Sequence, residues 1–466
     1  MGRSAIVLAA GLGTRMKSKR AKVLHLVCGK PMITHILDTL QLLDFEQVVV
    51  VVGPHQDEVM SVVKERAQVA VQEEQLGTGH AVMAALPYLR DSSETVVVLY
   101  GDAPLLRAQT LMQLLEAQVH GQAAACVLTA QVEDPRGLGR VIMGTADEVI
   151  RIVEEKDATP VERDLDLINT GIYAFATPFL KDALQHIHPN NAQGEYYLTD
   201  TLGYLTGMGE KVLGVKVEDS REIASVNDRV QLAHVEHLLR ERLWQYWALQ
   251  GVTIVDPDHT YIGADVKIGQ DTILLPGTLL EGQTEVGDDC VIGPNTHLVD
   301  ARVADGVRIE NSVVLGSIVN EGARVGPFAY VRPGSEIGPH TRIGDFVEIK
   351  NTRVGEDTKI SHLAYVGDAD VGQGVNVGCG VITVNYDGEH KHRTVIGSGS
   401  FVGSNVNLIA PVRVGAGAYV TAGSTITDDV PDDAFAIARS RQVTKENYVQ
   451  AWKSRHHGGK SEKGEQ

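Results

Sequence analysis

Residues 261–300 read YIGADVKIGQDTILLPGTLLEGQTEVGDDCVIGPNTHLVD, and in them an aliphatic side chain returns at Ile262, Ile268, Leu274, Leu280, Val286, Ile292 and Leu298. A period of six fits neither a helix nor a simple alternating strand. It fits a coil with flat faces, one hexad to a face, whose aliphatic residue points into a continuous core. The series continues through Val319, Val325, Val331, Ile337, Ile343 and Ile349 with occasional steps of five, and resumes at Ile396, Val402, Leu408, Val414, Val420 and Ile426. Three faces make a coil of about 18 residues, so about nine coils stacked at roughly 4.8 Å give an all-β prism about 43 Å tall.

Working outward, residues 227–250 (NDRVQLAHVEHLLRERLWQYWALQ) place apolar positions at helical spacing and contain almost no turn residues. They predict one long amphipathic helix, a strut between domains. Upstream, β-branched runs at 5–10, 47–52, 95–100, 124–129 and 170–175 alternate with amphipathic stretches at 33–43 and 56–66. That is the pattern of a parallel α/β sheet of Rossmann-like type, whose ligands sit at the carboxyl ends of the strands. The expected organisation is an α/β domain over 1–226, a helical linker over 227–250, a β-helix over 251–454 and a disordered tail over 455–466, where the sequence is polar and glycine-rich.

Composition limits the partners. With 42 basic and 60 acidic side chains the formal charge is −18, which argues against nucleic acid or an anionic membrane. A phosphorylated substrate then needs local Lys and Arg, or a metal ion. The 48 glycines among 466 residues suit many tight turns. Cys28, Cys126, Cys290 and Cys379 show no CxxC spacing, so neither a disulfide framework nor a zinc site is indicated, and they read as reduced thiols in the cytoplasm. The N-terminal apolar run is too short for a signal peptide or membrane span.

LAAGLGTRM (8–16) follows a predicted strand, and its glycines let backbone N–H groups approach phosphate oxygens, with Arg15 and Lys22 adding charge. An ordinary glycine-rich turn would read the same way. Asp102 ends the strand VVVLYGD, where a hard oxygen could hold magnesium or merely cap a turn. In the second half, the hexads break at VNYDGEHKHRTV (384–395), a polar loop leaving the prism. His362, in ISHLAYVGD, has the side chain best suited to take a proton from an amine near neutral pH, although it is one of 17 histidines.

LAAGLGTRM, GKPM (29–32), EQLGTGHA (74–81), LYGDAP (99–104), INTGIY (168–173) and VND (226–228) together resemble the sugar-1-phosphate nucleotidylyltransferases. EQLGTGHA points to the uridyl-transferring branch. YVRPGSEIG (330–338), VEIKN (347–351), SHLAYVGD (361–368), NVGCG (376–380) and NYDG (385–388) are similar to the acetyltransferase half of one family in that branch, the bifunctional N-acetylglucosamine-1-phosphate uridyltransferase/glucosamine-1-phosphate acetyltransferases.

The resemblance implies a left-handed β-helix, UTP and acetyl-coenzyme A as cosubstrates, magnesium, a homotrimer, and a product that supplies peptidoglycan and, in some cells, lipopolysaccharide. It implies that Arg15 and Lys22 contact the triphosphate, that Gln72, Gly77 and Thr78 hold uracil, and that Asp102 and Asn227 bind magnesium. Gly139, Glu154 and Asn169 would hold the acetamido sugar, with Leu8, Gly11, Tyr100 and Gly101 in the same nucleotide-and-sugar site. His362 would be the general base; Arg332, Lys350, Tyr365, Asn376, Asn385 and Tyr386 would position the phosphosugar. Cys379, Ser404, Ala422 and Arg439 would contact acetyl-coenzyme A, Cys379 standing where the family usually has alanine. Two other readings fit part of the pattern. One is a nucleotidylyltransferase making ADP-glucose, dTDP-glucose or GDP-mannose with a regulatory prism, which leaves His362 and the 385–388 loop without a role. The other is a non-enzymatic scaffold, from which the charged ligand set would be missing.

Overall fold

The computed structural model describes residues 2–145, 147–191 and 193–457. They divide into two compact units, the first running through Val266 and taking in Leu280–Gln283, the second comprising Lys267–Leu279 and the chain from Thr284 onward.

In the first unit, the chain runs β1 (Gly2–Leu8), α1 (Met32–Gln41), β2 (Gln47–Val52), α2 (Asp57–Val63), β3 (Gln68–Val71), α3 (Thr78–Ala85), β4 (Ser93–Tyr100), α4 (Ala108–His120) and β5 (Ala125–Gln131). After these come β6 (Arg140–Met143), β7 (Val149–Val153), α5 (Pro160–Arg163), β8 (Leu167–Ala176), α6 (Thr177–His186), α7 (Thr199–Gly207), β9 (Val212–Lys216) and α8 (Arg229–Leu249). The sheet order is β9-β5-β8-β4-β1-β2-β3, with the β6–β7 hairpin off its path. Alternate residues of the central strands face opposite layers. Val7, Val50, Val97 and Leu99 pack with α1, α2 and α4, while Ile6, Val49, Val51, Val96 and Val98 pack with α3, α6 and α7.

The sheet is mixed, not wholly parallel as the sequence pattern suggested: β8 runs antiparallel to both β4 and β5. A parallel return needs a helical crossover. Residues 132–166 form the β6–β7 hairpin and the short α5 instead, so β8 comes back in the opposite sense.

The expected strut is α8, a 21-residue helix. Its start is fixed by Asp228, whose Oδ1 accepts from the Val230 and Gln231 N–H groups, both at 2.9 Å. Val235 and Leu239 pack with Met16, Val27, Cys28, Met32 and Leu105 in a separate small core. Ala264 N donates to Cys28 O (2.9 Å), so the segment that follows the helix belongs to this unit beyond residue 251.

The second unit is a left-handed parallel β-helix whose faces are three parallel sheets. Along one face lie Arg342–Asp345, Lys359–His362, Asn376–Val377, Phe401–Val402, Tyr419–Val420 and Phe435–Ala436. The next face holds Glu348–Lys350, Tyr365–Gly367, Ile382–Val384, Asn407–Ile409 and Thr425–Ile426. Every hexad aliphatic from Ile292 to Val420 named above is at most 1% exposed. Thr352 and Thr358 fill corners, donating their hydroxyls to Lys350 O (2.8 Å) and Gly372 O (2.7 Å).

At one corner, successive coils place Asn295, Asn311, Phe328, Phe346, Leu363, Gly380 and Asn405 at positive φ. Asparagine tolerates that conformation; phenylalanine and leucine pay for it in strain. A C-terminal helix, α9, spans Tyr448–His457 and so enters the stretch expected to be a tail, whose remaining residues 458–466 lie outside the described residues. Among the described residues no helix is long and apolar enough to cross a membrane.

Candidate functional sites

The first site gathers at the carboxyl ends of β1, β2 and β4. Leu8 O accepts from Gly101 N (3.0 Å), which ties the glycine loop to the Tyr100–Asp102 turn. Gly13 sits at φ 60, and a Cβ there would lie 2.8 Å from Lys22 Cβ, so the loop lies directly on that lysine. Lys22 Nζ bonds both Asp102 Oδ2 and, at 3.2 Å, Asn227 Oδ1. Val226 N donates to Asp102 O (3.0 Å), which brings the far end of the domain to the same point. The oxygens of Asp102 and Asn227 therefore converge on one cationic centre, the ammonium of Lys22. Two hard oxygens are a donor set that suits magnesium, which takes one or two protein ligands plus substrate phosphates. Gly11 and Arg15 stand exposed on the loop.

Gln72 is buried at the end of β3, and its side-chain amide donates to Gly77 O (3.1 Å) and lies 3.1 Å from His80 Nδ1. Gly77 has φ 111, and a Cβ on it would meet Tyr196 O at 2.7 Å; only glycine fits here. Thr78 Oγ1 accepts from Leu198 N (3.0 Å). Further along the chain Asn169 N donates to Gly139 O (2.8 Å), and a Cβ on Gly139 would lie 3.4 Å from Glu154 Oε1. The Asn169 amide donates to Tyr173 OH (2.8 Å), and its Oδ1 accepts from Gly171 N (3.0 Å). Burial, then the charges of Asp157 and Asp200, raises the Glu154 carboxyl. Burial and the nearby Asp102 and Glu154 raise the Tyr100 phenol. Every residue expected to hold the nucleotide or sugar thus lies on the loops and strand ends along one edge of the sheet.

The second site lies on two faces of the prism and the corner between them. Parallel register pairs Asp345 with His362, and Asp345 Oδ1 is 2.6 Å from His362 Nδ1. On the next face Arg332 donates to Glu348 Oε1 (2.9 Å). Asp368 collects Lys350 Nζ (3.4 Å), Asn351 Nδ2 (2.6 Å) and the Asn385 amide, which also reaches Tyr365 OH at 3.4 Å. Burial raises the Asp368 carboxyl, but these hydrogen bonds and the Lys350 charge outweigh it and leave it lowered. Tyr386 bridges to Lys391 across the polar loop, and the Lys350 ammonium pushes the Lys391 amine down. Asn376 is exposed one coil beyond Lys359, in the sheet that carries His362.

Cys379, Ser404 and Ala422 form a column along a corner of the prism. Asn405 N donates to Cys379 O (2.7 Å) and Gly423 N to Ser404 O (2.8 Å), and a Cβ on Gly403 would meet Ala422 N at 2.5 Å. Arg439 continues it, its Cδ 3.6 Å from where a Cβ of Gly423 would stand. Asp345, Glu348, Asp368 and Lys391 were not anticipated from the sequence. For Asp345 the signal was available: it precedes His362 by one coil of the repeat.

Residues 5–189 match the MobA-like NTP transferase domain family, and residues 265–300, 300–351 and 393–428 match the bacterial transferase hexapeptide (six repeats) family. Over almost the whole chain it is similar to three bacterial proteins, each described as bifunctional protein GlmU. That of Brevibacillus brevis is 54% identical over 445 residues, 96% of either chain. Those of a Geobacillus species and Shouchella clausii are each 50% identical over 96% of this chain and cover 97% and 99% of their own.

Proposed function

The chain belongs to the GlmU family of bifunctional proteins, and from that premise we propose how its residues divide two reactions. It is a bifunctional enzyme of UDP-N-acetylglucosamine synthesis, with a uridyltransferase and an acetyltransferase activity. Its substrates are nucleotides, phosphosugars and acetyl-coenzyme A. The single observation that carries the division of labour is that the two constellations belong to different units, one at the sheet edge and one on the prism, each with its own charge set.

In the α/β unit, Arg15 and Lys22 contact the UTP triphosphate, Gln72, Gly77 and Thr78 grip uracil, and Gly139, Glu154 and Asn169 hold the acetamido sugar. The sugar phosphate oxygen attacks the α-phosphorus, the bond to the β-phosphate oxygen breaks, and pyrophosphate leaves. No side chain need be a nucleophile; positioning and charge neutralisation supply the rate. Asp102 and Asn227 would hold a magnesium ion, which when bound neutralises developing phosphate charge. In the prism, Arg332, Lys350 and Lys391 face the phosphate of glucosamine 1-phosphate, while Tyr365, Asn376, Asn385 and Tyr386 orient the sugar. Cys379, Ser404, Ala422 and Arg439 line the path of the coenzyme. The amine attacks the thioester carbonyl and His362 takes its proton.

The working state is a homotrimer. Phe328 and Phe346 stack (ring centroids 5.4 Å apart) yet are 57% and 59% exposed, and Leu363 beside them is 59% exposed. Such a strip, held at positive φ, is a surface awaiting cover. From Arg439 to His456 every residue is exposed, including Val443, Tyr448 and Trp452, so this arm reaches for another copy, whose acetyl-transfer pocket it completes. The free thiols and these substrates support a cytoplasmic location.

The test is a coupled assay with glucosamine 1-phosphate, acetyl-coenzyme A, UTP and magnesium. UDP-N-acetylglucosamine is expected only when all four are present. Efficient turnover of ATP with glucose 1-phosphate, and none with UTP and N-acetylglucosamine 1-phosphate, would overturn the reading.

A further inference from the structure

His362 does not stand alone on its strand end. The parallel register that pairs Arg342 with Lys359 and Ile343 with Ile360 also sets Asp345 opposite His362. The carboxylate is thereby delivered to Nδ1 by the backbone ladder, at 2.6 Å, with no flexible loop between them. The side chains are 39% and 59% exposed, which leaves the imidazole open to substrate. The contact is felt by the acid, since the hydrogen bond from His362 holds the Asp345 carboxyl below its usual range.

We infer that Asp345 is the positioning residue of the acetyl-transfer reaction, accepting the Nδ1 proton of His362 so that Nε2 is presented, unprotonated, to the acceptor amine. This rests on the reading of His362 as the base. A neutral imidazole carries its proton on one nitrogen or the other, and the partner of one decides which lone pair is free. With Nδ1–H given to Asp345, Nε2 accepts the amine proton as the nitrogen attacks the thioester carbonyl. The C–N bond forms, the C–S bond breaks, and the proton on Nε2 passes to the departing coenzyme sulfur, giving the amide and free thiol. The imidazolium that exists between those transfers lies against a carboxylate, which stabilises its charge. Lys350 and Arg332 have their own carboxylates, Asp368 and Glu348, so Asp345 is left to serve the histidine.

The experiment uses the full-length enzyme with Asp345→Ala, Asp345→Asn and His362→Ala. For Asp345→Ala, kcat of acetyl transfer should fall about 10- to 100-fold, part of the 10²–10⁴ that a positioned base supplies, with KM for both substrates unchanged. Sodium formate, which can occupy the space of the lost carboxylate, should restore part of that kcat. Asp345→Asn keeps an oxygen acceptor without charge and should retain more activity than the alanine variant. Uridylyl transfer by the same preparations reports that the first unit is folded, and the unchanged KM values of acetyl transfer that the prism is. An Asp345→Ala enzyme within twofold of wild type while His362→Ala is inactive would overturn the inference alone. So would a loss expressed only in KM and untouched by formate. Full acetyl transfer by His362→Ala would overturn the underlying assignment of the base.

Discussion

The two sites are built by opposite means. At the sheet edge the chain leaves regular structure, and the ligand groups are largely backbone and buried amides: the glycine loop, Gly77 wedged under Tyr196, Gln72 tied to Gly77 O. On the prism the chain never leaves its repeat except at 385–393, and the reactive groups are side chains standing on rungs, paired by register: Asp345 with His362, Lys350 with Asp368. The first site can close around its ligand within one chain. The second is an open face whose histidine is 59% exposed, and in the proposed trimer it is another copy that excludes water. Irregularity gathers backbone groups and buried amides at a strand edge; regularity ranks side chains along an exposed face.

The sharpest attack on this contrast is to remove one group from each side. His362→Ala should reduce acetyl transfer by about 10²- to 10⁴-fold and leave uridylyl transfer intact. Asp102→Ala should reduce uridylyl transfer by about 10²- to 10³-fold and spare acetyl transfer, as both are followed with separated substrates. Loss of both activities from either change would erase the distinction. A smaller effect tests the need for a copy. Phe346→Asp places a charge in the exposed strip at a backbone conformation aspartate tolerates, so each chain should still fold. Light scattering should then show monomers, with acetyl transfer down by about tenfold or more and uridylyl transfer unchanged; an active monomer would show the prism site complete in itself.

Next in size, Gln72→Ala should lower kcat/KM for UTP by about 10-fold or more through an unpaired uracil edge. The least effect belongs to the loop. Asp387 accepts from Glu389 N (2.8 Å), His390 N (2.7 Å) and His392 Nε2 (2.7 Å), and these bonds hold its carboxyl well below the usual range. A depressed carboxyl stabilises above its unfolded value, about 4, and stops doing so as pH falls through the folded one. Amide exchange at Glu389 and His390 should stay slow from pH 7 to about 4 and quicken only below that; opening already near pH 6 would break the assignment.

The prism was legible because each hexad needs only its own six residues to declare which way it points, and the break before Ile396 appears as the polar loop. Strand Gln47–Val52 lay where its β-branched run put it. The direction of β8 was not legible, since it depends on what residues 132–166 do together rather than on β8 itself. Standing inside a quoted motif was not enough: Asp368 closes SHLAYVGD (361–368) and Glu348 lies in VEIKN (347–351), yet neither was named from the sequence. Asp345 and Asp368 were missed because their chemistry appears only when one coil is laid on the next, and Lys391 because its loop must fold back toward Lys350 before the two amines meet.

The corner column of Cys379, Ser404 and Ala422 also measures length. Each rung adds roughly 4.8 Å, so if the coenzyme runs along this column as proposed, the number of coils between the histidine and Arg439 sets how long its arm must be. Deleting one whole coil would leave every face in register and the core closed, yet bring the far anchor one rung nearer. Such a shortened protein would choose among thioesters by reach, as a gauge selects by span and not by shape.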